Sequence, residues 1–115
     1  MAPVVSPVPT SEDLPSSTVV GIIGGGIVGL TAALVLAERG IPVVVLEKGR
    51  LAGEQSSRNL GWIRKMGRSV ADVPLACEAD RLWAGLAARV GEDVGYRPVS
   101  YTHLRAHETL SEVVW

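Results

Sequence analysis

Six consecutive residues have the types and spacing that bind a phosphate group. Gly24, Gly25, Gly26, Ile27, Val28 and Gly29 form a G-x-G-x-x-G motif. The first glycine of such a motif allows a tight turn, the second lets a diphosphate approach the backbone, and the third lets a helix pack closely on a strand. The backbone N–H groups at the start of that helix, together with the positive end of its dipole, attract phosphates.

An acidic residue follows the motif at about the offset, roughly 20 residues, that dinucleotide sites require. This residue, Glu47, comes directly after a second apolar run. Its carboxylate can accept hydrogen bonds from ribose hydroxyls and repels a 2′-phosphate, which favours FAD or NAD over NADP. The alternative is a glycine-rich turn in an unrelated α/β fold. The hexapeptide alone does not exclude it, but the strand before, the helix after and Glu47 together favour a dinucleotide site.

The apolar pattern contains the elements that would position these groups. Two short apolar runs are typical of buried parallel strands, and the stretch between them has helical spacing. The predicted strand, helix and strand cover residues 19–23, 27–39 and 42–46. Parallel strands bring Gly24 and Glu47 to the same edge of the sheet, where ligands bind in open α/β sheets. We therefore predict an α/β fold, a Rossmann-like βαβ dinucleotide-binding unit with an incomplete parallel sheet.

The sequence after Glu47 predicts less regular structure and then a second helix. Residues 50–69 are polar and punctuated by glycine, so we expect an irregular segment. Asp72 is a candidate N-cap for a helix that ends at Gly91. Its predicted apolar face consists of Leu75, Ala79, Leu82, Leu86 and Val90, and Cys77 is expected to be buried. Residues 94–99 are a candidate for a further strand.

Composition restricts the class of protein. A chain of 115 residues, 47% hydrophobic and 20% charged, suits a single small α/β domain. The net charge of −1 gives no reason to expect a nucleic-acid partner. Cys77 is the only cysteine, which excludes an internal disulfide and a cysteine-based zinc site and favours a cytoplasmic location. The sequence contains no nucleophile–base pair and no metal-ligand cluster, so we assign no catalytic residue and predict no metal.

The N-terminal segment raises two further questions. Residues 1–18 are rich in proline, serine and threonine and lack the basic start of a secretory signal, so we expect a disordered tail. Residues 14–37 are uncharged and long enough for a membrane span. However, the glycines and the change from extended to helical periodicity favour a strand, a turn and a helix, and we predict no membrane span.

Two neighbouring segments carry a family resemblance. The stretch VVGIIGGGIVGLTAALVLAERGIPVVVLEKG resembles the N-terminal unit of the D-amino-acid oxidase and D-amino-acid dehydrogenase superfamily of flavoproteins. The following A-G-E-Q-S-S-R-N-L-G-W resembles the next segment of members that oxidise amines and amino acids. The resemblance covers residues 19–97, and the second segment, not the glycines, implies FAD rather than NAD.

The resemblance implies roles for individual residues. The glycine motif would hold the pyrophosphate, Glu47 the adenosine ribose, and Lys48 would lie near the adenine. The residues on the side of the site between the diphosphate and the flavin would be Gln55, Ser56, Ser57, Arg58 and Asn59. Without the resemblance, a solvated loop of turn-forming residues is the better interpretation of this last group.

The resemblance also implies the chemistry. It is hydride transfer to FAD from the substrate carbon that bears the amine, followed by imine hydrolysis, with a small-molecule amine or amino acid as substrate. Family members place their substrate-binding sheet far beyond the length of this chain. We therefore expect an N-terminal FAD-binding fragment of an oxidoreductase that is inactive alone. A stand-alone dinucleotide-binding module without redox activity is the alternative.

The C-terminal segment has a resemblance of a different kind. The peptide V-S-Y-T-H-L-R-A-H-E-T resembles translated sequencing-adapter read-through. We therefore expect residues 99–115 to be a non-native tail, and we assign no chemical role to His103 and His107. The expected organisation is a tail at residues 1–18, the N-terminal part of an FAD-binding domain at 19–98, and the non-native tail.

Overall fold

The computed structural model describes residues 7–98. The chain divides into two compact units, with the boundary between Gly61 and Trp62. Residues 7–18 contain no helix or strand. The expected C-terminal tail, with His103 and His107, and the first six residues of the expected N-terminal tail lie outside the described residues.

The first unit is a parallel βαβ unit. Strand β1 (Val20–Ile23) leads through the glycine turn into helix α1 (Ile27–Glu38), which returns to strand β2 (Val43–Leu46). In the parallel pair, Val20 lies opposite Val43 and Ile23 opposite Leu46. The Gly24 N–H donates to the Leu46 carbonyl oxygen at 2.8 Å, which extends the pairing to the sheet edge. The α/β fold with an open parallel sheet is confirmed.

A glycine ends α1 and turns the chain back toward β2. Gly40 has a φ of 71°, in the left-handed region that glycine adopts without steric cost. Its N–H donates to the Ala37 carbonyl oxygen at 2.9 Å, and the Ile41 N–H donates to that of Leu36 at 3.0 Å. These two bonds are a Schellman motif and satisfy the last carbonyl groups of the helix. The helix length, and hence the position of β2, is set here.

The second unit contains a 3₁₀ turn (Val70–Asp72) that leads directly into helix α2 (Val73–Val90). Asp72 occupies the N-cap position, but its side chain makes no capping hydrogen bond, so the predicted cap is wrong in this respect. The 3₁₀ turn gives Asp72 helical backbone angles, φ −87° and ψ −15°, whereas a capping side chain needs an extended N-cap residue. Gly91 ends α2 with a φ of 76°, as predicted.

Helix α2 protects a face that matches the predicted one only in part, at Ala79 and Leu86. Leu75 and Leu82 of the predicted face are 73% and 49% exposed, and Cys77 is exposed rather than buried. The less exposed residues are Val73, Ala76, Ala79, Asp80, Trp83, Leu86 and Ala87. Apolar residues lie on several sides of α2, so their spacing alone does not define one face. The candidate strand after the helix is also wrong within the described residues, because Val94 to Pro98 contain no strand.

Little of the described chain is enclosed. Gly25 and Ala76 are its only buried residues. Ile23 at the end of β1 is 90% exposed, and Val28 in the first turn of α1 is 82% exposed. None of the helices within residues 7–98 is long and apolar enough to cross a membrane, and the uncharged stretch forms the predicted strand, turn and helix.

Candidate functional site

The first and last glycines of the motif shape the turn between β1 and α1. Gly24 leaves the strand with a φ of 106°, which other residues rarely adopt. A Cβ on Gly29 would overlap the backbone carbonyl oxygen of Gly24 and lie 3.2 Å from Cγ2 of Ile22. The absence of a side chain at Gly29 therefore lets α1 pack directly on the end of β1, as the motif predicts.

Glu47 is bonded to the glycine turn across the sheet edge. Its Oε2 accepts the Gly25 N–H at 2.8 Å, and its Oε1 accepts the Gly49 N–H at 2.9 Å. These hydrogen bonds, first that of Gly25 and then that of Gly49, lower the pKa of the Glu47 carboxyl, and the charge of Lys48 acts in the same direction. The carboxylate is therefore ionised at neutral pH.

Gly25 is held at both of its backbone polar groups. Its carbonyl oxygen accepts the Ala52 N–H at 2.8 Å, while its N–H donates to Glu47. A Cβ on Gly25 would overlap Cδ2 of Leu51 and lie 3.2 Å from Cβ of Glu47. The segment after β2 thus packs against the middle of the turn. The sequence analysis assigned no part in the site to Leu51 or Ala52, and alanine gives no sequence signal for such a contact.

The start of α1 presents backbone donors. The N–H groups of Gly26, Val28 and Gly29 have no acceptor among residues 7–98. The Ile27 N–H donates to the Ser56 Oγ at 2.8 Å, and a Cβ on Gly26 would lie 3.1 Å from that same oxygen. A serine hydroxyl that accepts an N–H keeps its own proton to donate. This donor set fits an anion such as a diphosphate.

The loop after β2 uses most of its polar groups internally. A 3₁₀ turn covers Gln55–Ser57, and the Ser57 Oγ donates to the Glu54 carbonyl oxygen at 3.0 Å. The Asn59 Nδ2 donates to the Ser56 carbonyl oxygen at 2.5 Å, and its Oδ1 accepts the Gly61 N–H at 2.6 Å. Of the five predicted loop residues, Ser56 alone bonds to the glycine turn in the described structure.

Lys48, Gln55 and Arg58 are among the predicted site residues that lie on the surface. Lys48 is 84% exposed at its side chain, and its Nζ lies 3.9 Å from the Glu54 Oε1. Gln55 and Arg58 are exposed, and the Arg58 side chain has no hydrogen-bond or ion-pair partner in the described part of the chain. The structure therefore gathers the glycine motif, Glu47 and Ser56, whereas Lys48, Gln55 and Arg58 make no hydrogen bond to the glycine turn in the described part of the chain.

The second unit contains a separate polar cluster around Asp80 of α2. Its Oδ2 lies 2.6 Å from the Lys65 Nζ, and its Oδ1 accepts the Tyr96 hydroxyl at 2.8 Å. The hydrogen bonds from Lys65 and then Tyr96 lower the pKa of the Asp80 carboxyl. The cluster ties segments on both sides of α2 to the helix. No group of three or more metal-binding side chains is present within residues 7–98.

The first unit has the features of the nucleotide-binding unit of α/β proteins. These are a parallel βαβ unit, a glycine turn, N–H donors at the helix start, and a carboxylate at the end of the second strand. The sequence pattern of one family, described as FAD dependent oxidoreductase, matches residues 20–114. The chain belongs to this family. The predicted relation to the D-amino-acid oxidase superfamily of flavoproteins is thereby confirmed.

Solved structures of flavoproteins related to this chain are also similar to it. An L-amino acid deaminase from Proteus vulgaris is similar at 34% identity with a TM-score of 0.75, over 88% of this chain and 25% of that one. An L-amino acid deaminase from Proteus myxofaciens, solved in complex with anthranilate, is similar at 44% identity with a TM-score of 0.74, over 84% of this chain and 21% of that one. The chain thus spans roughly a quarter of the length of these structures. No curated protein sequence matches it significantly.

Proposed function

We propose that this chain forms the ADP-binding part of the FAD site in a flavin-dependent oxidoreductase of amino acids. The observation that carries the proposal is the 2.8 Å hydrogen bond between the Gly25 N–H and the Glu47 Oε2. This bond joins the glycine turn to Glu47 at one sheet edge, which supports a dinucleotide site with a phosphate-binding turn and a ribose-binding carboxylate. Membership of the FAD-dependent oxidoreductase family supports FAD as the dinucleotide.

The diphosphate would be held at the start of α1. The N–H groups of Gly26, Val28 and Gly29 are available as donors, and the positive end of the helix dipole favours an anion. The Ser56 hydroxyl adds a side-chain donor next to Gly26. Ser57 and Asn59 bond within the loop that carries Ser56, so their part is to hold that hydroxyl in place.

The adenosine ribose would be held by Glu47. Each of its carboxylate oxygens accepts one backbone N–H and keeps a further lone pair for a ribose hydroxyl. Because the carboxyl pKa is lowered, the group is an acceptor only and repels a 2′-phosphate at neutral pH. In this arrangement Lys48 would lie toward the adenine, and Gln55 and Arg58 toward the flavin.

The substrate class follows from the relatives. The two structures described above are named L-amino acid deaminases, which supports an α-amino acid as the substrate. When bound, FAD supplies the hydride acceptor for the carbon that bears the amino group. The residues of this chain contribute by fixing the ADP portion, and with it the position of the flavin.

Anaerobic reduction of the flavin tests this proposal. The full-length protein that carries this sequence would be purified with FAD and mixed with L-amino acids, D-amino acids and simple primary amines. We expect the flavin absorbance near 450 nm to bleach with at least one α-amino acid and to persist with amines that lack a carboxylate. A flavin-loaded protein that only the simple amines reduce, or that none of these compounds reduces, would overturn the amino-acid assignment.

A further inference from the structure

We propose that Ala52 is a positioning residue for the diphosphate-binding turn. The proposal rests on the proposed function, and it adds to the glycine motif and Glu47 a further residue that shapes the site. Ala52 has a φ of 55°, and it is the one non-glycine residue with a positive φ among residues 7–98. This left-handed conformation is unfavourable for residues with a Cβ and persists only where the surroundings enforce it.

The conformation of Ala52 directs its N–H onto the turn. That N–H donates to the Gly25 carbonyl oxygen at 2.8 Å, and the side chain of the preceding residue, Leu51, occupies the space that a Cβ on Gly25 would need. Gly25 is buried at this contact. The unfavourable backbone of Ala52 therefore occurs where the segment after β2 meets the turn.

Peptide geometry connects this bond to the phosphate donors. A trans peptide is planar, with its C=O and N–H pointing in opposite directions. Fixing the Gly25 carbonyl oxygen therefore fixes the direction of the Gly26 N–H, which has no acceptor among the described residues. Glu47 fixes the preceding peptide through the Gly25 N–H. Glu47 and Ala52 thus fix the two peptide groups on either side of Gly25. The Gly26 N–H then points away from Ala52.

Four substitutions in the full-length protein separate this role from a general effect on folding. Ala52→Gly and Ala52→Asn both tolerate the left-handed region, so FAD affinity should stay within about threefold of the wild type. Ala52→Val disfavours that region and should weaken FAD binding by about tenfold. The control Ala71→Val places the same side chain on an exposed residue of the 3₁₀ turn and should leave affinity unchanged.

The ³¹P NMR spectrum of bound FAD tests whether the Gly26 N–H points at the diphosphate. Backbone N–H donors perturb the ³¹P resonances of bound FAD, so Ala52→Val should shift them toward those of free FAD while Ala52→Asn should not. Wild-type affinity and unshifted resonances in Ala52→Val would overturn the proposal. If Ala52→Val does not fold, Ala52→Ser replaces it, and an affinity equal to or above that of Ala52→Asn overturns the proposal.

Amide hydrogen exchange separates this proposal from the proposed function. In protein stripped of cofactor, the Ala52 amide should be protected, because its acceptor is a backbone carbonyl oxygen. A protected Ala52 amide in a protein that binds no FAD would sink the proposed function and leave the Ala52–Gly25 contact standing. Exchange of this amide at the unprotected rate would overturn the positioning role whatever the protein binds.

Discussion

Glu47 Oε2 accepts the backbone N–H of Gly25 at 2.8 Å, although the two residues lie on different strand ends. The bond ties the carboxylate, which is the proposed ribose ligand, to the glycine turn that is proposed to bind the diphosphate. A change at Glu47 should therefore affect both the shape of the turn and the recognition of the sugar. The effects of substituting Glu47 can be measured separately from the effects of substituting the glycines.

Substitution of Glu47 and protonation of its carboxylate at low pH should both weaken FAD binding. In Glu47→Gln the amide nitrogen cannot accept the second N–H, so FAD affinity should fall several-fold at pH 7. The pKa of the Glu47 carboxyl is lowered from 4.5, so its stabilising effect is complete above that value and is lost as the pH falls below it. FAD retention measured from pH 7 to pH 3 should show an acidic loss that is smaller in Glu47→Gln. Identical acid profiles for the two proteins would show that Glu47 has no such role.

Gly29→Ala should disrupt the unit itself. Its Cβ would overlap the Gly24 carbonyl oxygen, which belongs to the backbone and cannot rotate away. In the full-length protein we expect a loss of about 1–3 kcal/mol or more in the free energy of unfolding, typical of overpacking. The matched control is Gly85→Ala in α2, where a Cβ meets nothing within 4 Å and should stabilise by about 0.5–1 kcal/mol. Equal melting temperatures for the two variants would contradict the close packing of α1 on β1.

Gly26→Val should remove cofactor binding while the fold persists. Gly26 has extended backbone angles, φ −83° and ψ −178°, that any residue adopts, so the backbone does not need a glycine here, and the Ser56 hydroxyl is the one group that must shift. A side chain would occupy the space beside Ser56 Oγ that the diphosphate needs, and FAD affinity should fall by about 100-fold or more. Gly21→Val in β1, which has open space around it, is the control by circular dichroism and flavin titration. Undiminished FAD affinity in Gly26→Val would refute the phosphate turn.

The 115-residue chain by itself should be unstable. Helix α1 is apolar on all sides, a pattern typical of fully covered helices, yet Val28 is 82% exposed. A two-stranded sheet is marginal alone, and each large side chain left uncovered forgoes roughly 1.5–3 kcal/mol. We expect aggregation or a molten state and no amine-dependent dye reduction. A sharp cooperative melt and dispersed amide NMR signals from a monomer would instead favour the stand-alone binding module.

The sequence predicted β1, α1 and β2 to within one residue at each end. The apolar runs of the two strands are short, and Gly24, Gly40 and Pro42 lie at the boundaries between the elements, so few alternatives compete. It also predicted that Gly24 and Glu47 would share one edge, because parallel pairing requires it. The glycine turn and Glu47 were therefore predictable from spacing alone, whereas Ser56 was predicted only through the family resemblance.

Two features were not accessible from the sequence. The positive φ of Ala52 has no signal, because glycine and asparagine are the residues that indicate such a conformation. The face that α2 protects depends on Asp80, a charged residue that Lys65 and Tyr96 bind, and a hydrophobic pattern places charged residues outside. Both depend on contacts between segments that are distant in sequence.

Identification of the bound cofactor tests the central claim most directly. The full-length protein would be purified without added nucleotide, denatured, and the released compound identified by absorbance and mass spectrometry. We predict FAD, bound with an affinity that depends on Gly26 and Glu47. A folded protein that releases NAD, or that takes up NAD and not FAD on titration, would contradict the account.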